Sequence, residues 1–150
     1  MPVQWDKKSS ATAEALGRSV GGFSCKIHVL TDGLGYPLRF LLTAGQTADI
    51  TQAQALVSST PLKALLANKG YDSPALVDYL KERHIESVIP SRANALNPRV
   101  YDNVRYKERH LIECFFSKIK HYRRVFARFD KKAQNFMAFL HFVAFLIWTR

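Results

Sequence analysis

Two strand-type runs meeting at Asp32-Gly33-Leu34-Gly35 constrain this chain more than any other stretch. In Phe23 to Thr31, Ser24, Lys26 and His28 alternate with Cys25, Ile27 and Val29, the two-residue period of a strand with unlike faces. Asp32-Gly33 then supplies the positive-φ positions that a tight reversal needs. Tyr36 to Ala44 (YPLRFLLTA) is a second strand, with Pro37 near its beginning, where a missing N–H is tolerated. Residues 23–44 are therefore predicted to form a β-hairpin, and the rest of the chain has to cover it.

The segments that follow alternate. Thr47 or Asp49 is placed to cap a helix running to about Ser58. Lys63 to Ala67 (KALLA), short and apolar before Gly70, reads as a buried strand. Ser73-Pro74 opens a helix through Arg83, serine as N-cap and proline in the first turn, with Leu76, Val77 and Leu80 inward. Glu86 to Pro90 is a further short strand, and Ser91 to Val104, with Pro98 and several Asn/Asp residues, a mobile loop. Helical periodicity returns at Arg105 and runs to about Phe126; Asp130 then caps a last helix to Trp148. In that helix the aromatic stripe Phe136, Phe139, Phe142 and Phe145 is expected to be core rather than a subunit interface. Residues 1–21 lack periodicity and read as an arm. The order gives an α/β fold with a mixed sheet and two C-terminal helices.

At 150 residues and 47% hydrophobic composition, the chain can bury a core of one-domain size. Its net charge of +10 calls for a polyanionic partner, nucleic acid ahead of a membrane surface. Residues 101–150 hold eleven lysines and arginines against four acids, leaving +7 in the last third. Arg123, Arg124, Arg128, Lys131 and Lys132 form one basic cluster there. Phe136 to Trp148 is apolar but interrupted by His141 and shorter than the roughly 20 residues that span a bilayer. Cys25 and Cys114 form no metal or redox spacing, which points to free thiols in a reducing cytoplasm. His110 and Cys114 stand four apart, without the second ligand pair a zinc site needs.

Within YKERHLIECFFSKIK (106–120), Tyr106, Arg109, Glu113 and Lys120 lie at offsets that fall within an arc of about 60° on an α-helix. Leu111, Ile112, Phe115, Phe116 and Ile119 fall largely on other faces. This is either the solvated face of an amphipathic helix or a stripe that sets one carboxylate among cations, as a site holding a metal and a phosphate backbone would require.

The same four residues, separated by two, three and six others, match the tyrosine–arginine–glutamate–lysine signature of bacterial insertion-sequence transposases of the DDE class. The resemblance extends over roughly 17–149, through GRSVGGFSCKIHVLTDGLGYPLRFLLTAGQTADI (17–50), LLANKGYDS (65–73) and FFSKIKHYRRVFARFDK (115–131). It implies an RNase H-like mixed sheet flanked by helices, built from residues 17–150 after a flexible arm over 1–16. It also implies double-stranded DNA as partner, at element ends and target, and a homo-oligomer formed on DNA near the nucleoid. The implied chemistry is strand cleavage and strand transfer, with two Mg²⁺ or Mn²⁺ ions about 3.5–4 Å apart held by three acids. Glu113 would be the helical metal ligand. Lys120, about 10 Å further along the axis, would contact the DNA backbone. Arg109 would orient the carboxylate or bind phosphate, Tyr106 would stack on a base or donate to phosphate, and Arg123, Arg124 and Arg128 would bind phosphates.

Two positions depart from the pattern. Where the family has its second acid, this chain reads Ala67-Asn68-Lys69-Gly70-Tyr71, so Asn68 occupies a metal-ligand position as a neutral amide. Asp72 is the nearest carboxylate and reads as a loop residue before the Ser73 cap. The first acid should end a central strand upstream of the hairpin, and Asp6 lies too close to Gly17 for that role. The expectation is a C-terminal catalytic portion, incomplete at its N-terminus and inactive alone, completed by an upstream transposase segment or frameshift partner. The alternative is a catalytically dead DNA-binding or dimerising remnant.

Overall fold

The computed structural model describes residues 15, 17–19, 22–128, 130 and 132–150. Strand β2 (Gly22–Thr31) pairs antiparallel with β3 (Pro37–Ala44), Lys26 opposite Thr43 and His28 opposite Leu41. The reversal forms at the expected place by a different device. Asp32 Oδ1 accepts the N–H groups of Leu34 and Tyr36 at 2.9 Å, and the positive φ falls on Gly35 (85°) rather than Gly33. Gly35 is also where a Cβ would press on Leu111 at 3.3 Å.

The arm expected over 1–21 contains a strand: β1 (Gly17–Ser19) pairs antiparallel with the start of β2, Gly17 opposite Ser24. Three residues are too few to show a period, and what holds them is the backbone ladder. Gly17 is favoured by close approach, since a Cβ there would lie 2.9 Å from the Gly45 backbone nitrogen and would displace the Gln46 side chain. Apart from buried Ala15, the arm over 1–16 lies outside the described residues, as does Asp6.

Helix α1 (Ile50–Val57) begins at Asp49, whose side chain makes no cap bond; it pairs with Lys26 Nζ at 3.0 Å and so ties β2 to the start of the helix. β4 (Ala64–Leu66) runs parallel to β5 (Glu86–Val88), joined through α2 (Pro74–Glu82), which Ser73 Oγ caps through the Leu76 N–H as expected. Among the described residues the strands form two sheets, β1-β2-β3 and β4-β5, rather than one mixed sheet.

The helix expected over 105–126 is three pieces. Asp102 Oδ1 caps α3 (Asn103–Tyr106) through the Val104 and Arg105 N–H groups. A 3₁₀ turn over Lys107–Arg109 leads into α4 (His110–Lys120). Tyr122 is extended (φ −86°, ψ 99°) and packs against the core, which ends α4 before α5 (Arg123–Phe126). The last helix, α6 (Ala133–Trp148), has Lys132 at its N-cap, a side chain with no acceptor to offer, and the expected cap Asp130 lies two residues earlier, paired with Arg124 at 3.1 Å. Of the aromatic stripe only Phe136 is buried; Phe139 is half-buried, while Phe142 and Phe145 are exposed.

The pleat of β2 explains the layering. Val29 and Phe40 join Phe115 and Ile119 of α4 and Phe136, Leu140 and Val143 of α6 in one cluster. On the other face of β2, Leu30 packs with Leu56 and Val57 of α1. Helix α1 also meets α2 and the strand ends through Ala53, Leu76, Leu80 and Ile89. No helix among the described residues is long and apolar enough to cross a membrane.

Phe115 is 1% exposed at the centre of the larger cluster, whereas Phe145 is 61% exposed. Phe115→Ala should lower the unfolding free energy by about 3–5 kcal/mol in urea titrations, and Phe145→Ala should change it by less than about 0.5 kcal/mol.

Candidate active site

A cleft of about 450 Å³ lies between β2 and β4. Leu111, Ile112 and Phe116 of α4 form one wall and Ala53, Leu56 and Val57 of α1 another. Its polar lining includes Asn68, Arg105, Glu108, Arg109 and Glu113. The two sequence-predicted ligand positions, Asn68 at the end of β4 and Glu113 on α4, thus face one cavity from different elements.

Glu113 is exposed because Phe115 is not. Two residues apart on an α-helix is about 200° of rotation, so burying Phe115 turns Glu113 away from the core. Its carboxylate forms an ion pair with Arg109. The guanidinium of Arg109 in turn sits 5.8 Å from the Tyr106 ring centroid, and Tyr106 meets Tyr101 edge-on at 5.4 Å. The 3₁₀ turn between them favours this stack, since residues three apart are eclipsed at three residues per turn. Tyr106, Arg109 and Glu113 therefore form one chain of contacts.

Lys120 does not join them. It is exposed in the last turn of α4 and is not among the residues lining the cleft. Arg123 is exposed on α5. Arg124 pairs with Asp130 and lies 5.2 Å from the Phe139 ring centroid. Arg128, at φ 40°, donates to the backbone oxygens of Asp130 and Ala15 and lies over the Phe136 ring. The basic cluster thus divides into Arg123 and Lys132, both exposed, and two arginines, Arg124 and Arg128, whose contacts tie the α5 region to α6. Lys131 lies outside the described residues.

Asn68 is extended and caps the 3₁₀ turn Lys69–Tyr71, its Oδ1 accepting the Gly70 N–H at 2.8 Å. Asp72 at the end of this turn accepts the Arg92 N–H at 2.8 Å and pairs with Arg99, while Ser91 Oγ accepts the Arg99 N–H at 2.9 Å. The segment expected to be mobile is therefore pinned by a carboxylate that sequence spacing marked only as a loop residue.

Sequence reading also missed three cleft residues: Arg105, paired with Glu86; Glu108, one turn before Ile112; and His28, 4% exposed, whose Nε2 lies 2.7 Å from Thr43 Oγ1. Only the alternation of Lys26 and His28 hinted at the last. Burial raises the Tyr71 phenol pKa, with Asp49 adding to the effect.

Among the described residues no three His, Cys, Asp or Glu side chains converge on a point where a metal would be held. At the two signature positions the donors are one carboxylate already paired with Arg109 and one amide oxygen already accepting a backbone N–H, and the further carboxylates lining the cleft, Asp32 and Glu108, do not complete a convergent set with them. By itself this set does not fit a pair of dications, which need several anionic oxygens.

Burial pulls the His28 pKa below 6.5; Asp49 opposes this shift and Lys26 adds to it. A lowered folded-state value means that the unfolded chain takes up the proton first as pH falls. The stability associated with neutral His28 is complete above pH 6.5 and is lost as pH drops from there towards the folded-state value. Denaturant titrations of His28→Gln should show a flatter fall in stability than the parent from about pH 7 to about pH 5.

Residues 4–148 match the family model of the transposase DDE domain. The chain is 38% identical over 130 residues to a putative transposase for insertion sequence element IS6501 of Brucella ovis, a match covering 83% of this chain and 98% of that protein. It is 30% identical over 127 residues to a putative transposase for insertion sequence element IS402 of Burkholderia cepacia, covering 77% of this chain and 58% of that protein. No solved structure matches. The DDE family generally uses a divalent metal and acts on DNA. The match over almost the whole chain and the two relatives agree: the chain belongs to the DDE class of bacterial insertion-sequence transposases.

Proposed function

We propose that this chain carries the helical and second-strand parts of an RNase H-like transposase site, serving strand cleavage and strand transfer at insertion-sequence ends. The observation that carries the reading is the shared cleft, which Asn68 reaches from a strand end and Glu113 from a helix. The hairpin followed by a parallel pair joined through a helix supports the RNase H-like assignment.

In this reading Glu113 is a metal ligand and Asn68 stands at the position of the second. Arg109, stacked on Tyr106, positions the Glu113 carboxylate and offers its charge to a phosphate. Lys120 and Arg123 contact the DNA backbone, and Arg124 and Arg128 add phosphate contacts at the cost of their tethers. A further carboxylate reaches the site from an upstream transposase segment or frameshift partner, and the protein works as a homo-oligomer on DNA in the bacterial cytoplasm.

The second reading, a DNA-binding or dimerising remnant, is favoured by one observation: the second ligand is a neutral amide engaged in a turn. Metal-dependent cleavage of DNA bearing the element ends separates the two. Residues 1–150 alone should bind this DNA and leave it uncut with Mg²⁺ or Mn²⁺. Cutting would overturn the claim that the donor set is insufficient.

Two further outcomes are expected. Asn68→Asp retains an acceptor for the Gly70 N–H and adds a charge, so Mn²⁺ affinity measured by titration calorimetry should rise by at least about tenfold. Lys120→Ala and Arg123→Ala should each reduce the slope of log affinity for DNA against log salt by about 1.

A further inference from the structure

Helix α6 has two apolar faces, and the core takes only one of them. Phe136, Leu140, Val143 and Ile147 are buried in the cluster built on β2, β3 and α4. On the opposite side Asn135, Ala138, Phe142, Phe145 and Thr149 are all exposed, Phe142 by 54% and Phe145 by 61%. These residues recur at intervals of three, four, three and four. That is the spacing by which one helix packs along another, and a solvated face has no need of it.

Three further features bear on what covers this seam. The 16 residues of α6 include no Asp, Glu, Lys or Arg, in a chain of net charge +10. DNA therefore gains no phosphate contact from the helix, and two copies of the chain meet there without the repulsion that opposes contact between basic surfaces. Next, a groove of about 360 Å³ opens beside Ala138, between Phe139 and Phe142 on α6 and Arg124 and Asp130 before it. Last, the seam complements itself. Turned antiparallel about a two-fold axis between His141 and Phe142, two copies set Phe145 opposite Ala138 and Trp148 opposite Asn135. A large side chain then meets a smaller one at each of these steps, and Phe145 of one copy enters the groove of the other. Trp148 is fixed beforehand at the rim, its ring 4.7 Å from that of Tyr36 and its Nε1 donating to Pro37 O at 2.9 Å.

We infer that the outer face of α6 is a self-association surface, on which a second copy of this chain packs its own α6 antiparallel. The exposed halves of Phe142, Phe145 and Trp148 offer roughly 300 Å² per copy, from side chains of about 150–250 Å² each. Doubled, and extended by the flanking residues, this reaches the roughly 1,000 Å² at which specific but weak interfaces begin. The chain therefore pairs at concentrations on the order of 100 μM and is single near about 1 μM, where Phe145 adds little to folding stability. None of the seam residues lines the β2–β4 cleft, and the pairing requires neither DNA nor metal, so it and the transposase reading fail separately.

The test is light scattering on the whole chain without DNA or metal. At about 100 μM the mean mass should approach twice the value at about 1 μM. Phe145→Lys and Ala138→Glu should each hold the chain at monomer mass at both concentrations. An equimolar mixture of the two variants should pair again, lysine opposite glutamate. Leu34→Glu, which removes an exposed apolar side chain from the hairpin tip, should leave pairing unchanged. Far-ultraviolet dichroism of each variant at about 1 μM should match that of the parent, since all three positions are exposed. The inference is overturned by monomer mass at the higher concentration, whatever covers the face, or by a dimer that survives Phe145→Lys. It is equally overturned by a dimer that Leu34→Glu dissolves, or by a mixture that stays single.

Discussion

Phe115 sits where β3, α4 and α6 meet, its ring 6.0 Å from that of Phe40 and in one cluster with Phe136 and Val143. The orientation of α4 follows from that contact. With Phe115 and Ile119 inward, the helix has one azimuth, and Glu113 is turned out of the core to line the cleft together with Ile112 and Phe116. Hydrophobic burial therefore aims the carboxylate, and no polar contact is needed to set its direction. The ion pair with Arg109 is an exposed interaction of the kind worth at most about 1 kcal/mol, enough to bias a rotamer but not to place a helix.

The hairpin, α2 with its Ser73 cap, and the strands at 64–66 and 86–88 were legible because each depends on a local rule: alternation, capping, or a short apolar run beside a glycine. The stripe Tyr106–Arg109–Glu113 was legible as spacing, although the helix under it is not continuous. Its interruption at Lys107–Arg109 and its end at Tyr122 were not, since neither carries a glycine or proline; Tyr122 leaves the helix to pack on a core formed by distant residues. Asp72 shows the same limit. Its partners Arg92 and Arg99 are 20 and 27 residues away, and no local pattern announces them. The division into two sheets, and the cleft between β2 and β4, belongs to tertiary arrangement alone.

Charge is distributed more tightly than composition suggests. In the second half of the chain Arg99, Arg105, Arg109 and Arg124 each face an acid, and three of these four acids belong to other elements. Arg105 joins α3 to β5, Arg99 joins the 91–99 segment to the turn after β4, and Arg124 joins α5 to the start of α6. A chain with a large basic excess thus employs several of its arginines as fasteners between elements. Lys120 and Arg123 remain exposed for an external polyanion.

Asn68 closes its turn with an oxygen that an aspartate would place in the same position. The Gly70 N–H is satisfied by either residue, and the turn, the Asp72 clamp and the 91–99 segment behind it are indifferent to which one is present. Folding therefore exerts almost no restraint on the charge at this position. In the proposed reading, an acid and an amide at this position would close the same turn and would differ in the charge they bring to the cleft.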